Sequence, residues 1–180
     1  MNDLIKVDIF DNPIGYISKQ KAHEKPVLHR AFSVFLYHNN KMLIQQRAFN
    51  KYHSGGLWAN TCCSHPRTSN ILDDASNRLK EELGITLQSN KLKEIFNFTY
   101  LTEFNANLFE YEFDHVLVAD YVGKYSINPE EVNDLKWVDI DILSKDLVLT
   151  PKKYASWFLI CAPKVISYIK GLSNQTVVKL

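Results

Sequence analysis

The chain has 180 residues, enough for one domain with a sizeable core, and its 46% hydrophobic and 12% aromatic content is that of a globular protein. A formal net charge of +1 leaves no global basic field for nucleic acid and no acidic tail. Three cysteines, two of them adjacent, make no disulfide framework, the early acids of MNDLIKVDIFDNP do not read as a secretory signal, and Tyr154 to Ile169 is broken by Pro163 and too polar to span a bilayer. A cytoplasmic protein with reduced thiols and no membrane or nucleic-acid partner is expected.

In chain order, Leu4 to Phe10 alternates into the turn Asp11-Asn12-Pro13 and returns through Ile14 to Ile17, which predicts a hairpin. Ser18 to Lys25 reads as a short helix or loop before Pro26. His29 to Tyr37 is aromatic and β-branched, and the turn His38-Asn39-Asn40-Lys41 sends it back through Met42 to Gln46. Arg47 to Gly56 is a polar loop. Trp58 to Pro66 reads as a short strand ending at a site, with Cys62 and Cys63 on opposite faces and His65 beside Cys63. The helix from Ile71 to Leu83 is capped by Asn70, carries Asp73 and Asp74 at its positive end, and closes at Gly84. Leu92 to Thr102 and Leu108 to Tyr121 read as long strands and Leu135 to Val138 as a short one. Asp139 to Leu147 reads as a short helix, and Lys152 to Lys170 as a longer one bent or interrupted at Pro163. The tail over 171–180 reads as frayed. Strands mixed with a few helices indicate an α+β sandwich, and no linker divides it: one domain over 1–180 is expected.

The chemistry-bearing groups are few. His38 and His53 fall in a turn and a polar loop and read as solvated. His115 reads as a core or edge residue. His23, His29 and His65 lie at the ends of strands or loops near other polar groups. Alternation puts Glu110, Glu112 and Asp114 on one strand face. Acids facing water are the commoner outcome, but glutamates roughly 6.5–7 Å apart along a strand could also share a cation. Imidazoles with carboxylates would make a mixed nitrogen and oxygen site. Arg78 and Glu82 are four apart on one helix face, either a surface ion pair or a phosphate-binding arginine beside a metal-binding acid. Lys19, Arg47 and Lys51 are ordinary surface charges unless they converge with Arg78 on one mouth, where they would clamp a phosphate. Trp157 reads as a core residue.

Together, Leu28-His29-Arg30-Ala31-Phe32-Ser33, Trp58 to Pro66, Glu81-Glu82-Leu83-Gly84 and Glu110-Tyr111-Glu112 resemble type I isopentenyl-diphosphate isomerases, a branch of the Nudix superfamily. The resemblance covers nearly the whole chain. It implies a Nudix-like α/β/α sandwich with a mixed central sheet and an added N-terminal hairpin. It also implies interconversion of isopentenyl and dimethylallyl diphosphate, in isoprenoid biosynthesis. It makes His23, His29, His65, Glu110 and Glu112 ligands of one divalent metal (Mn, Mg or Zn). Cys63 and Glu112 match the acid/base pair, with Cys63 expected to act as a thiolate, and Tyr100 matches a tyrosine that supports protonation. Trp157 matches an aromatic facing the hydrocarbon end. Lys19, Arg47, Lys51 and Arg78 match diphosphate contacts, and Glu82 a ligand for a second, substrate-borne Mg²⁺. A monomer or weak dimer acting on a small prenyl diphosphate is expected.

The Nudix hydrolase signature carries Arg-Glu where this chain has Asn77-Arg78, a change that resembles the isomerase branch. Missing carboxylates weaken metal-assisted hydrolysis, which needs several acids around the attacked phosphate. A diphosphate hydrolase and a non-catalytic diphosphate-binding or thiol-sensing domain remain the alternatives.

Overall fold

The aromatic and β-branched run from His29 becomes the strand on which the rest is built. In the computed structural model of the chain, which describes residues 3–104 and 108–177 with side chains to 172, β3 (His29–His38) lies at the middle of a mixed sheet. β1 (Asp3–Val7) and β2 (Pro13–Ser18) form the expected hairpin at one end. β1 stops at Val7 rather than Phe10. The Asp8 carboxylate accepts the backbone N–H groups of Phe10 and Asn12 and closes a loop there instead. Helix α1 (Lys19–Glu24) follows, with the Ser18 hydroxyl as its cap.

β3 turns through Asn39, at a positive φ of 52°, into β4 (Lys41–Arg47). The stretch expected as one strand from Trp58 is two, β5 (Trp58–Ala59) against β4 and β6 (Cys62–Ser64) against β3. The break between them holds Asn60 and Thr61, both fully buried. The Asn60 amide donates to the Cys62 and Val34 carbonyls, and the Thr61 hydroxyl accepts from the Leu36 N–H, so no buried polar group of this crossover is wasted.

β7 (Lys93–Glu103) and β8 (Phe109–Asp120) are antiparallel neighbours. β8 runs parallel to β3 from His29↔Glu112 to Tyr37↔Asp120. β9 (Val132–Asp139) is antiparallel to β4 and begins earlier than Leu135.

Period-two alternation on β3 sorts its side chains into two cores. Phe32, Val34 and Leu36 meet Ala75, Leu79 and Leu83 of α2 (Ile71–Leu83). Phe35 faces the other way, against Phe158 and Cys161 of α4 (Ser156–Val177), with α3 (Ile140–Leu149) beside it. The result is the α/β/α sandwich with a mixed sheet. Each fully buried Leu or Phe at these positions contributes about 1.5–3 kcal/mol. α2 is closed as its sequence dictates: Asn70 accepts from the Asp73 N–H, and Gly84, at φ 62°, donates to the last-turn carbonyls. α4 differs from expectation. It starts at Ser156, after a separate turn over Pro151–Lys153, runs through Pro163 without ending, and continues past Gly171 to Val177. Cys161, Ala162, Val165 and Ile166 are all buried on both sides of Pro163, and this packing outweighs the missing N–H. Residues 178–180 of the expected frayed tail lie outside the described residues. Among the described residues no helix is long and apolar enough to cross a membrane.

Candidate active site and metal centre

A cavity of about 230 Å³ opens at one end of β3, and strands from both edges of β3 supply its walls. Cys63 and His65 come from β6 and the residues after it. Glu110 and Glu112 come from β8, and Tyr100 from β7. Lys19 starts α1, Arg47 ends β4, Arg78 and Glu82 lie on α2, and Trp157 opens α4. The structure therefore gathers the sequence-predicted residues in one place, with His23 and His29 packed behind His65. The three acids of β8 do not face water. Parallel pairing to β3 buries that strand on both faces, and Glu110, Glu112 and Asp114 are all buried.

The donor atoms sit as a cation would require. The His23 Nδ1–H donates to the Lys19 carbonyl at 2.7 Å and the His29 Nδ1–H to the Val27 carbonyl at 2.8 Å. A neutral imidazole has one N–H and one lone pair, so both rings point an Nε2 lone pair into the site. The His29 and His65 Nε2 atoms are 3.2 Å apart. Glu112 Oε1 lies 2.8 Å from the second and 3.6 Å from the first. Donors at right angles around one ion at about 2.1 Å are separated by about 3 Å. The buried His23 Nε2 and Glu110 Oε2 have no hydrogen-bond partner. Lone pairs converging on one point, with orphaned donors beside them, fit a divalent ion held by His23, His29, His65, Glu110 and Glu112.

Burial pushes the Glu110 carboxyl well above its ordinary range, with the Glu112 charge adding to it. Glu112 goes the other way. Burial opposes its charge, but the His29 and His65 imidazoles beside it hold it well below that range. Burial holds the His65 imidazole down at about 4. Tyr100 donates to Glu112 Oε2 at 2.6 Å.

Cys62 and Cys63 part as alternation predicts. Cys62 is fully buried against α2, and Cys63 faces the cavity. Burial pushes the Cys63 thiol up to about 12, against the pull of Arg47, whose Nη1 lies 3.8 Å from Sγ, a direction that favours the thiol over the thiolate expected from the resemblance. At the other end of the cavity, Arg78 Nη2 lies 2.7 Å from Glu131 Oε2, and Arg78 Nε lies 2.6 Å from Glu82 Oε1. Lys51 also pairs with Glu131. The Trp157 indole N–H donates to Asn60 Oδ1 at 2.9 Å, and the Arg47 guanidinium lies 5.2 Å over the ring. Trp157 thus belongs both to the core and to the cavity wall.

Two residues at the site escaped the sequence reading. Glu131 follows α2 by many residues and carries no motif signal. His53 was expected in solvent, yet it is buried. The loop after β4 folds back on itself, with Arg47 N–H donating to the Leu57 carbonyl and Gly56 N–H to the Arg47 carbonyl. That brings the His53 ring under Phe104, at 4.4 Å, and against Glu110.

The fold is that of a Nudix domain, and the NUDIX domain family model matches residues 27–158. Among solved structures, DR0079 from Deinococcus radiodurans superposes with a TM-score of 0.65 over 83% of this chain and 90% of that one, at 16% identity. A NUDIX hydrolase from Alicyclobacillus acidocaldarius gives 0.56 over 78% and 90%, at 10% identity. At such identities these share the fold. Sequence relatives go further. Isopentenyl-diphosphate Delta-isomerase 2 of Aromatoleum aromaticum is 44% identical over 92% of this chain and 87% of its own length. Isopentenyl-diphosphate Delta-isomerase of Serratia proteamaculans is 44% identical over 87% of each chain. The chain belongs to the isopentenyl-diphosphate Delta-isomerase family.

Proposed function

We propose that this chain interconverts isopentenyl and dimethylallyl diphosphate, with Cys63 and Glu112 as the acid/base pair. Shifting the double bond by one carbon needs a proton added to the terminal alkene carbon and another removed from the neighbouring methylene, through a tertiary carbocation. An unactivated alkene is a poor base, so the acid must be well placed and water kept out. The observation that carries the reading is the Cys63 thiol and the Glu112 carboxyl lining one cavity, from strands on opposite edges of β3. One proton held between two groups is what a reversible proton-in, proton-out reaction requires. Tyr100 holds the second oxygen of Glu112 and can pass a proton along that bond.

His23, His29, His65, Glu110 and Glu112 would hold one divalent ion, and when bound it makes the Glu112 carboxyl a stronger acid and a weaker base. Lys19, Arg47, Lys51 and Arg78 serve as the diphosphate handle, with Glu82 ligating the Mg²⁺ carried by the substrate. The diphosphate does not react, so binding energy there orients the short hydrocarbon. The Trp157 ring stabilises the cation by about 0.5–2 kcal/mol. Hydrolysis is disfavoured because Arg78 stands on α2 where the hydrolase signature carries an ion-holding glutamate.

The test is incubation of the purified chain with Mg²⁺ and isopentenyl diphosphate. Dimethylallyl diphosphate without release of phosphate is expected. Phosphate release without isomerisation would overturn the reading in favour of a hydrolase.

A further inference from the structure

Two trios of donor groups meet at one residue. His23, His29 and His65 form the first, and His23, His53 and Glu110 the second. Within each trio the ligating atoms all lie within 4.8 Å of one another. The first trio and the two glutamates belong to the metal reading above. His53 does not, and nothing in that reading explains why a histidine from the loop after β4 is buried against them.

We infer that His53 is a fourth imidazole ligand of the same divalent ion. This rests on the reading that His23, His29, His65, Glu110 and Glu112 hold one ion. His53 Nε2 lies 3.3 Å from Glu110 Oε1, close to the separation of neighbouring donors on one ion. Its other nitrogen is 3.3 Å from the Ser54 hydroxyl. With Nδ1–H donating there, Nε2 carries the lone pair, as in His23 and His29, and it faces Glu110, whose other oxygen is buried without a hydrogen-bond partner. Once Glu110 is ionised, the two groups are both acceptors and a cation between them satisfies both. The His53 ring is also locked. Phe104 stacks on it, the Tyr52 ring meets it edge-on at 4.5 Å, and Trp157 lies edge-on at 6.0 Å. A fixed, nearly inaccessible imidazole facing a carboxylate is how a ligand is prepared, because the orientation is settled before the ion arrives.

The consequence concerns both metal choice and reaction. His53 would bring the side chains that could hold the ion to six, four of them imidazoles. Imidazole-rich sites suit Mn²⁺, Fe²⁺, Co²⁺ or Zn²⁺ better than Mg²⁺, which prefers oxygen and keeps its waters. Mg²⁺ is then left to the diphosphate. An ion held by side chains alone would leave no position for an attacking water, and would order Glu110 and Glu112 rather than activate a nucleophile.

The experiment uses the full chain, stripped with chelator and reloaded with Co²⁺, carrying isotope-labelled histidine. Hyperfine-shifted imidazole rings are counted by NMR. One ion per chain with four shifted rings is expected, and His53→Gln should remove one ring and weaken Co²⁺ and Mn²⁺ binding by about 10–100-fold. The circular dichroism of the chelated variant reports whether it folds, and the wild-type ring count stands without it. Three shifted rings, unchanged affinity in folded His53→Gln, or two ions per chain would overturn the inference while leaving the five-residue site standing. A chain that binds no Co²⁺ or Mn²⁺ would overturn both.

Discussion

Tyr100 and Glu112 are direct partners in the register of β7 and β8, and the tyrosine hydroxyl donates to Glu112 Oε2 at 2.6 Å. The other oxygen of that carboxylate faces the His29 and His65 nitrogens. Glu112 is thus held from both sides, one by a proton donor and one by the two histidines proposed as metal ligands. Tyr100→Phe keeps the ring and removes only the hydroxyl. It should lower kcat by about 10–100-fold, within the range of acid–base assistance, and leave KM and metal content nearly unchanged. Steady-state kinetics with metal analysis checks this. An unchanged kcat would remove Tyr100 from proton transfer.

The two neighbouring cysteines should separate cleanly. Cys62 is fully buried against α2, so Cys62→Ala should cost stability and retain activity. Cys63→Ala should fold and be inactive. The Cys63 thiol, pushed up to about 12 by burial and pulled down by Arg47, should react slowly with iodoacetamide. Its alkylation rate should climb with pH without a plateau below about pH 11. Arg47→Ala removes the lowering charge and should slow the reaction further at every pH. A plateau near neutral pH would mean that a thiolate is already present.

Lys51 and Arg78 both pair with Glu131 across the cavity mouth. A diphosphate must compete with that carboxylate for the same two cations. Glu131→Gln keeps the shape and removes the charge. It should tighten binding of inorganic pyrophosphate in Mg²⁺-free buffer by several-fold, measured by titration calorimetry. Weaker binding would mean that Glu131 serves the anion site through a cation rather than competing with it.

His53 gives a pH prediction with a definite sign. Burial holds its imidazole down at about 3 in the folded chain, against an ordinary 6.5. Below that ordinary value the unfolded chain takes up a proton that the folded chain refuses, so this group lowers stability as pH falls through 6.5 toward 3. In chelated protein its share of the loss is about 2 kcal/mol between about pH 7 and pH 5. His53→Gln should therefore be less acid-sensitive than the parent by about that amount in chemical denaturation. Parallel pH profiles would show that His53 is not held neutral by the fold.

Much of this molecule was legible because local rules decided it. The Asn70 and Gly84 caps define α2, and alternation separates Cys62 from Cys63 and turns Cys63 and His65 toward one cavity. The resemblance singled out the ligands, the clamp and the acid/base pair that the structure brings together. What escaped depended on contacts distant in sequence. Nothing local says that β8 pairs parallel to β3 from Glu112 onward, and that pairing helps turn Glu112 and Asp114 from solvent-facing acids into buried ones, while His53 covers Glu110. His53 and Glu131 come from loops whose burial is decided by Phe104, Arg78 and Lys51. Pro163 misled for the same reason: the packing on both sides of it, not the residue itself, decides that α4 continues. The thiol state of Cys63 depends on its depth, which spacing does not encode.

The central claim is a proton passed in at one face and out at the other by Cys63 and Glu112, beside a bound metal. Isopentenyl diphosphate incubated with the chain in deuterated water tests it most directly. Deuterium should enter the dimethylallyl product. Incorporation should vanish in Cys63→Ala and in Glu112→Gln, and should be lost with chelator and recovered on adding Mn²⁺ and Mg²⁺. Full deuterium incorporation by Cys63→Ala, or by enzyme stripped of its metal, would contradict the account.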